Sequence, residues 1–301
     1  MLGKFEKIVF VDDCGLVGSY KDKVYELAEQ VVEYQDVPTD NDEIIHRIND
    51  ADCILVSWKT KIDGEVLSQC PKLKYMGMCC SLYDEKSANV DIAKARSLGI
   101  IVKGVRDYGD HGTLEFIFSQ LIILYSNVIP NQLGKEPTEL NGKVLGIIGM
   151  GVLGQMVARM AINFGMRVVY YSRSRKKEIE HTGAEYYPLD EMLPQCDVIS
   201  IHLPRNTMIL GKDEFQLMKH PSVLVQTSLG LPFNSDAFKT WIDNNENYAI
   251  FDGAENTRLF GELAKEKQNI LITSRASGFT KEAKGRLTEK VWLNMSDFLK
   301  K

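Results

Sequence analysis

Along the first hundred residues, short apolar runs alternate with stretches whose apolar positions recur at helical spacing. The runs are KIVFVDD, QVVEY, CILVSW, LKYMGM and IIVKGV, separated by SYKDKVYELAEQ, DNDEIIHRIND, DGEVLSQC and NVDIAKARSLG. Strands that alternate with helices read as βαβ units around a parallel sheet. Asp42, ahead of EIIHRIN, and Asp63, ahead of GEVLSQ, are the expected helix starts, because a carboxylate there accepts from the unpaired N–H groups of a first turn. A helical stretch from Thr113 to Tyr125 interrupts the alternation, and Pro130, Gly134 and Pro137 place a loop behind it. A second series follows: KVLGIIGM, RVVYYS, AEYY, DVISIHL, SVLVQTS, YAIFD and NILITS, closed by the amphipathic helix TKEAKGRLTEKVWLNMSDFL. Two such series joined by a helical crossover predict an α/β protein of two doubly wound parallel-sheet domains with a cleft between them. Ligands of such sheets bind beyond the carboxyl ends of the strands, where the strand order reverses.

Composition narrows the classes. The 301 residues suit two domains at roughly 150 residues each. With 44% hydrophobic and 26% charged residues, each domain can bury a core without disulfide or metal staples. A net charge of −5 gives no general attraction to nucleic acid or anionic membrane. The longest apolar stretch, Leu114 to Tyr125, is too short to span a bilayer and is broken by Glu115, Ser119 and Gln120. MLGKFEKIVFV carries charges where a signal peptide needs an apolar core. The six cysteines form no CxxC pair and no zinc spacing, so they read as reduced thiols of a soluble cytoplasmic protein without a metal site.

The strongest local signal is VLGIIGMGVLGQMVARMAINFGMRVVYYSRSRK, which sets Gly149, Gly151 and Gly154 between an apolar strand and a helix. The first glycine permits the tight turn, the second lets a pyrophosphate approach the backbone, and the third allows close helix–strand packing. The phosphates of a dinucleotide then rest on the helix start, at Val152 and Leu153. At the end of the next strand an NAD site carries Asp or Glu for the ribose 2′-hydroxyl. Here the chain has Ser172, Arg173, Ser174 and Arg175, followed by two lysines. Two hydroxyls and two guanidiniums suit a 2′-phosphate and no carboxylate repels it, so NADP is expected over NAD.

Read together, PKLKYMGM, NVDIAKARSLGIIV, the glycine motif, DVISIHLPRNT, MKHPSVLVQTSLG and NILITSRASGFTKEA resemble the D-2-hydroxyacid dehydrogenase family over nearly the whole chain. The resemblance implies a flavodoxin-like substrate domain split in sequence, residues 1–104 plus 282–301, and a Rossmann dinucleotide-binding domain, residues 105–281. It implies that His202, Pro204 and Thr207 line the cofactor cleft, that Thr227 and Ser228 lie near the nicotinamide, and that Asp252 faces its carboxamide side. It also implies a homodimer built on the crossover helix.

The departures from the family fall on its catalytic positions. Leu229 stands where the family has its substrate-binding arginine, and Arg275 where it has its acid/base histidine. Leucine offers no donor, and a guanidinium stays charged at any working pH and cannot shuttle protons. Loss of a positioned general acid forfeits roughly 10²- to 10⁴-fold in rate. Three groups are candidates to take over: Arg275 as an anion anchor, Glu255 as its ion-pair partner, and His111 as a proton donor. The expected activity is an NADP-preferring oxidoreductase acting on the CH–OH or C=O group of a small anionic substrate. The alternative is a non-catalytic NADP-binding sensor or partner protein.

Overall fold

The computed structural model describes residues 3–127, 136–205 and 207–300, so Pro130 and Gly134 of the expected loop lie outside the described residues. The chain forms two units, residues 1–108 with 280–301, and residues 109–279. The first carries a parallel sheet of β1 (Phe5–Phe10), β2 (Ala28–Glu33), β3 (Cys53–Val56), β4 (Tyr75–Ser81) and β5 (Ile101–Val105), in the order β2-β1-β3-β4-β5. All four residues of β3 are buried, as the unbroken apolar run CILV requires of a central strand covered on both faces.

Helix starts follow side-chain chemistry. Asp63 caps Gly64–Ser68, its carboxylate accepting from Glu65 N and Val66 N. The helix ahead of it begins two residues earlier than the expected Asp42. Asp40 is its cap and accepts from Glu43 N, which places Asp42 inside the first turn, where the helix dipole also favours an acid. The last helix, Lys281–Leu299, returns to the first unit. Leu287, Val291 and Met295 join Phe5, Ile8, Phe10 and Tyr75 in one core, and Thr288 Oγ1 accepts from Val17 N at 3.0 Å.

The second unit holds seven parallel strands: β6 (Val144–Ile148), β7 (Arg167–Tyr171), β8 (Glu185–Tyr186), β9 (Val198–Ile201), β10 (Val223–Gln226), β11 (Tyr248–Phe251) and β12 (Ile270–Ile272). Their order is β12-β11-β10-β9-β6-β7-β8, so the winding reverses between β6 and β9. Both sheets are therefore doubly wound, the first in the flavodoxin-like order and the second in the Rossmann order extended by one strand. One face of the larger sheet packs Leu145, Ile147 and Val225 against Ile117, Phe118 and Leu121 of helix Asp110–Ser126. The other face packs Ile199, Leu224 and Phe251 against Phe215, Phe238 and Phe260. No helix among the described residues is long and apolar enough to cross a membrane. All six cysteines are free and buried.

Candidate functional site

The three glycines stand at the carboxyl end of β6, beside the reversal of strand order. Gly149 has φ +99°, which side chains rarely tolerate, and a Cβ there would lie 2.2 Å from the His202 carbonyl oxygen. A Cβ on Gly154 would lie 2.2 Å from the Gly149 carbonyl oxygen. Packing thus dictates the first and third glycines. Around a Cβ on Gly151, by contrast, nothing lies within 4 Å, and Gly151 starts helix Val152–Asn163 without a side-chain cap. The middle glycine therefore keeps space open beside the N–H groups of Val152 and Leu153, which an anion can reach.

Behind β7, Ser172 is half-buried and Arg173 and Ser174 are exposed, none of them in an ion pair among the described residues. Arg175 is different. Its guanidinium binds Glu180 at 2.7 Å, and together with the Tyr170 hydroxyl it holds the Glu180 carboxyl down at about 2. The expectation that Arg175 stands free for a phosphate is corrected: an acid five residues on in the following helical turn already occupies it. The Tyr170 hydroxyl also accepts from Lys176 N at 2.7 Å, which braces the turn that presents Arg173.

The loops after β9 and β10 are tied to each other. Ser228 Oγ donates to Ile201 O and accepts from Leu203 N, both at 3.1 Å. Gln226 Nε2 donates to Ser228 O and Gly230 O, both at 3.0 Å. His202 N donates to Ile148 O at 2.8 Å, which holds its loop against the glycine turn. Its Nε2 lies 2.9 Å from Ser200 Oγ, and burial pushes the imidazole down to about 4, so the ring is neutral at physiological pH. His202 Nδ1 and Thr227 Oγ1 are buried without a partner among the described residues. Pro204 and Thr207 are partly exposed on the same loop as His202. Asp252 is buried at the carboxyl end of β11; burial raises its carboxyl above the ordinary value, while Ser277, donating from N at 2.7 Å and from Oγ, offsets part of this.

Orphaned donors and acceptors are uncommon in a folded interior. Those on His202 and Thr227, with the open middle glycine and the uncapped helix start, fit a dinucleotide laid across the switch point.

The three residues expected to carry catalysis are not brought together. Arg275 is exposed, joins no ion pair among the described residues, and lines a cavity of about 730 Å³ with Phe116, Lys265 and Lys267 along the edge strand β12. Glu255, in the first turn of helix Gly253–Glu266, accepts from Gly230 N at 3.1 Å and from Arg205 Nη2 at 3.3 Å. The expected Glu255–Arg275 pair is therefore corrected, because two donors from the β9 and β10 loops take that carboxylate. His111 is exposed in the first turn of Asp110–Ser126, and Leu229 is exposed on the β10 loop. Sequence reasoning missed Arg205, Gln226 and Ser277. A cation directly after His-Leu-Pro, at a strand's carboxyl end, was the available signal for Arg205.

The profile described as D-isomer specific 2-hydroxyacid dehydrogenase, NAD binding domain, matches residues 126–276. The chain is 33% identical over 243 residues to a glyoxylate reductase of Aeropyrum pernix, covering 74% of this chain and 69% of that one. It is 29% identical over 283 residues to a glyoxylate reductase of Thermococcus litoralis, covering 85% and 83% of the two chains. Among solved structures, an acyclic imino acid reductase in complex with NADPH and D-Arg superposes with a TM-score of 0.82 at 23% identity, covering 98% of this chain and 97% of the other. That likeness is one of fold.

Proposed function

The chain belongs to the D-isomer specific 2-hydroxyacid dehydrogenase family, and from that premise we propose that it reduces the carbonyl of a small anionic 2-oxo acid with NADPH in preference to NADH. The nicotinamide cofactor follows from the family; the preference is the finer step. It is carried by one observation: the carboxyl end of β7 presents Ser172 and Arg173, which joins no ion pair among the described residues, where a ribose-binding carboxylate would repel a 2′-phosphate.

When bound, the cofactor supplies a hydride. The protein's share is positioning. The glycine turn admits the pyrophosphate, and neutral His202, fixed by Ser200, offers its unpartnered Nδ1 to the ligand. Thr227 Oγ1 offers a second buried hydroxyl. Ser228 and Gln226 hold the β9 and β10 loops in register, so these groups keep their spacing. The reading also has the protein acting as a cytoplasmic homodimer. Six buried free thiols suit a reducing compartment, and helix Asp110–Ser126 leaves Ile122 exposed and Leu114, Phe116 and Ile123 half-buried, apolar area that a second copy could cover.

The test is loss of NADPH absorbance with glyoxylate, hydroxypyruvate and bulkier 2-oxo acids, with NADH run in parallel and light scattering to give the mass. Oxidation of NADPH with at least one of them, faster than of NADH, is the expected result. Equal rates with the two cofactors refute the preference, and no turnover with any of the acids refutes the reaction.

A further inference from the structure

Resting on that reading, we infer that Arg205, steadied by Glu255, is the residue that binds the carboxylate of the 2-oxo acid. Arg47 shows how this chain satisfies a fully buried guanidinium. Arg47 is 3% exposed, and its donors are taken by Val11 O and Asp36 O at 2.9 Å, by Asp36 Oδ2 at 2.7 Å, and by Glu43. That is the usual state of a buried guanidinium, because an unmet donor carries a desolvation penalty.

Arg205 is not in that state. Its side chain is 25% exposed, its Nε is buried with no partner among the described residues, and no hydrogen bond to those residues leaves Nη1. Its one ion pair, Nη2 to Glu255 Oε2, measures 3.3 Å, and the same oxygen accepts from Gly230 N at 3.1 Å. Well-formed charged pairs are shorter, about 2.7–2.9 Å, and Arg175–Glu180 in the same unit reaches 2.7 Å. Glu255 therefore fixes the guanidinium through one loose contact and leaves most of its planar donor set open to a ligand or to water. A planar carboxylate matches such a fork with two parallel bonds.

The surroundings agree. Arg205 shares the β9 loop with His202, whose Nδ1 is also orphaned, and Ser228 ties that loop to Thr227, whose Oγ1 is orphaned. Asn256, next to Glu255, has a buried Oδ1 without a partner. These unmet polar atoms gather at the carboxyl ends of β9, β10 and β11. Met208 and Leu229, the exposed side chains nearby in sequence on the same two loops, are apolar, so neither competes for an anion.

The probe is oxamate, an inert planar analogue of a 2-oxo acid, titrated calorimetrically into protein saturated with NADPH. Arg205→Gln should weaken oxamate by roughly 10- to 100-fold, the range of a lost charged hydrogen bond, while changing NADPH affinity less than about 2-fold. Arg205→Lys keeps the charge without the fork and should fall between; it also serves as the readable variant if Arg205→Gln does not fold. With a reducible 2-oxo acid, the loss should appear in KM more than in kcat. Unchanged oxamate affinity in both variants, or no oxamate binding by the unaltered protein, overturns the inference. So does an equal loss of NADPH affinity, which would assign Arg205 to a cofactor phosphate. Absence of turnover alongside Arg205-dependent oxamate binding would refute the proposed reaction and leave the anion site standing.

Discussion

His202 makes the stability of the nucleotide unit depend on pH in a calculable direction. Burial lowers its imidazole from 6.5 to about 4. The folded state therefore binds fewer protons than the unfolded chain between those values, and stability rises with pH across that window. The contribution is complete above pH 6.5, is lost as pH falls toward 4, and levels off below. At about 1.4 kcal/mol per unit the displacement corresponds to about 3 kcal/mol, and the partial exposure of the residue reduces this to about 2 kcal/mol. The perturbation is acidification compared between the unaltered protein and His202→Asn, which keeps a polar group beside Ser200 and removes the titration. Urea unfolding at steps from pH 7.5 to 4.5 should show the unaltered protein losing about 2 kcal/mol more than the variant. A parallel NMR titration of the imidazole should give a midpoint well below 6. Identical pH profiles for the two proteins, or a midpoint near 6.5, would refute the reasoning.

Arg173→Ala should weaken NADPH by roughly 10- to 100-fold and leave NADH within about 2-fold, read by fluorescence titration; parallel losses would place Arg173 outside the phosphate site. Gly154→Ala should destabilise the second unit by about 1–3 kcal/mol and abolish dinucleotide binding, because its Cβ would meet a backbone oxygen that cannot swing aside; a thermal melt matching the unaltered protein would exclude this. Arg275→His, at an exposed position along β12 that the fold keeps apart from Glu255, should leave glyoxylate reduction within about 2-fold, and a rise of about tenfold would place position 275 in proton transfer.

What could be read from the sequence is what local chemistry determines. The glycine turn declares itself through spacing, because the backbone conformation at Gly149 and the close approach at Gly154 exclude other residues. Asp63 declares itself as a cap because its acceptor serves groups two and three residues away. Asp40 is not distinguished from Asp42 by sequence, because several acids stand together in TDNDE and only the turn geometry selects among them. The Glu255 interactions were illegible for another reason. Arg205 lies 50 residues from Glu255 and Gly230 lies 25, so strand order decides which loops meet. Nothing local distinguishes that glutamate from a solvated one. Arg175 shows the converse, since its partner was five residues away and in plain view.

The return of the last helix to the first unit bears on how the polypeptide matures as it is made. Residues 109–279 are contiguous, so this unit draws its seven strands from one uninterrupted stretch and needs nothing made after residue 279 to complete them. The five-stranded unit has all its strands far earlier but must wait for Leu287, Val291 and Met295 to cover Phe5, Ile8 and Tyr75. Until those residues are made, Phe5, Ile8 and Tyr75 lack their cover, and exposed apolar surface of that kind favours aggregation. A chain interrupted just before Lys281 would thus carry a complete nucleotide unit attached to an unfinished neighbour.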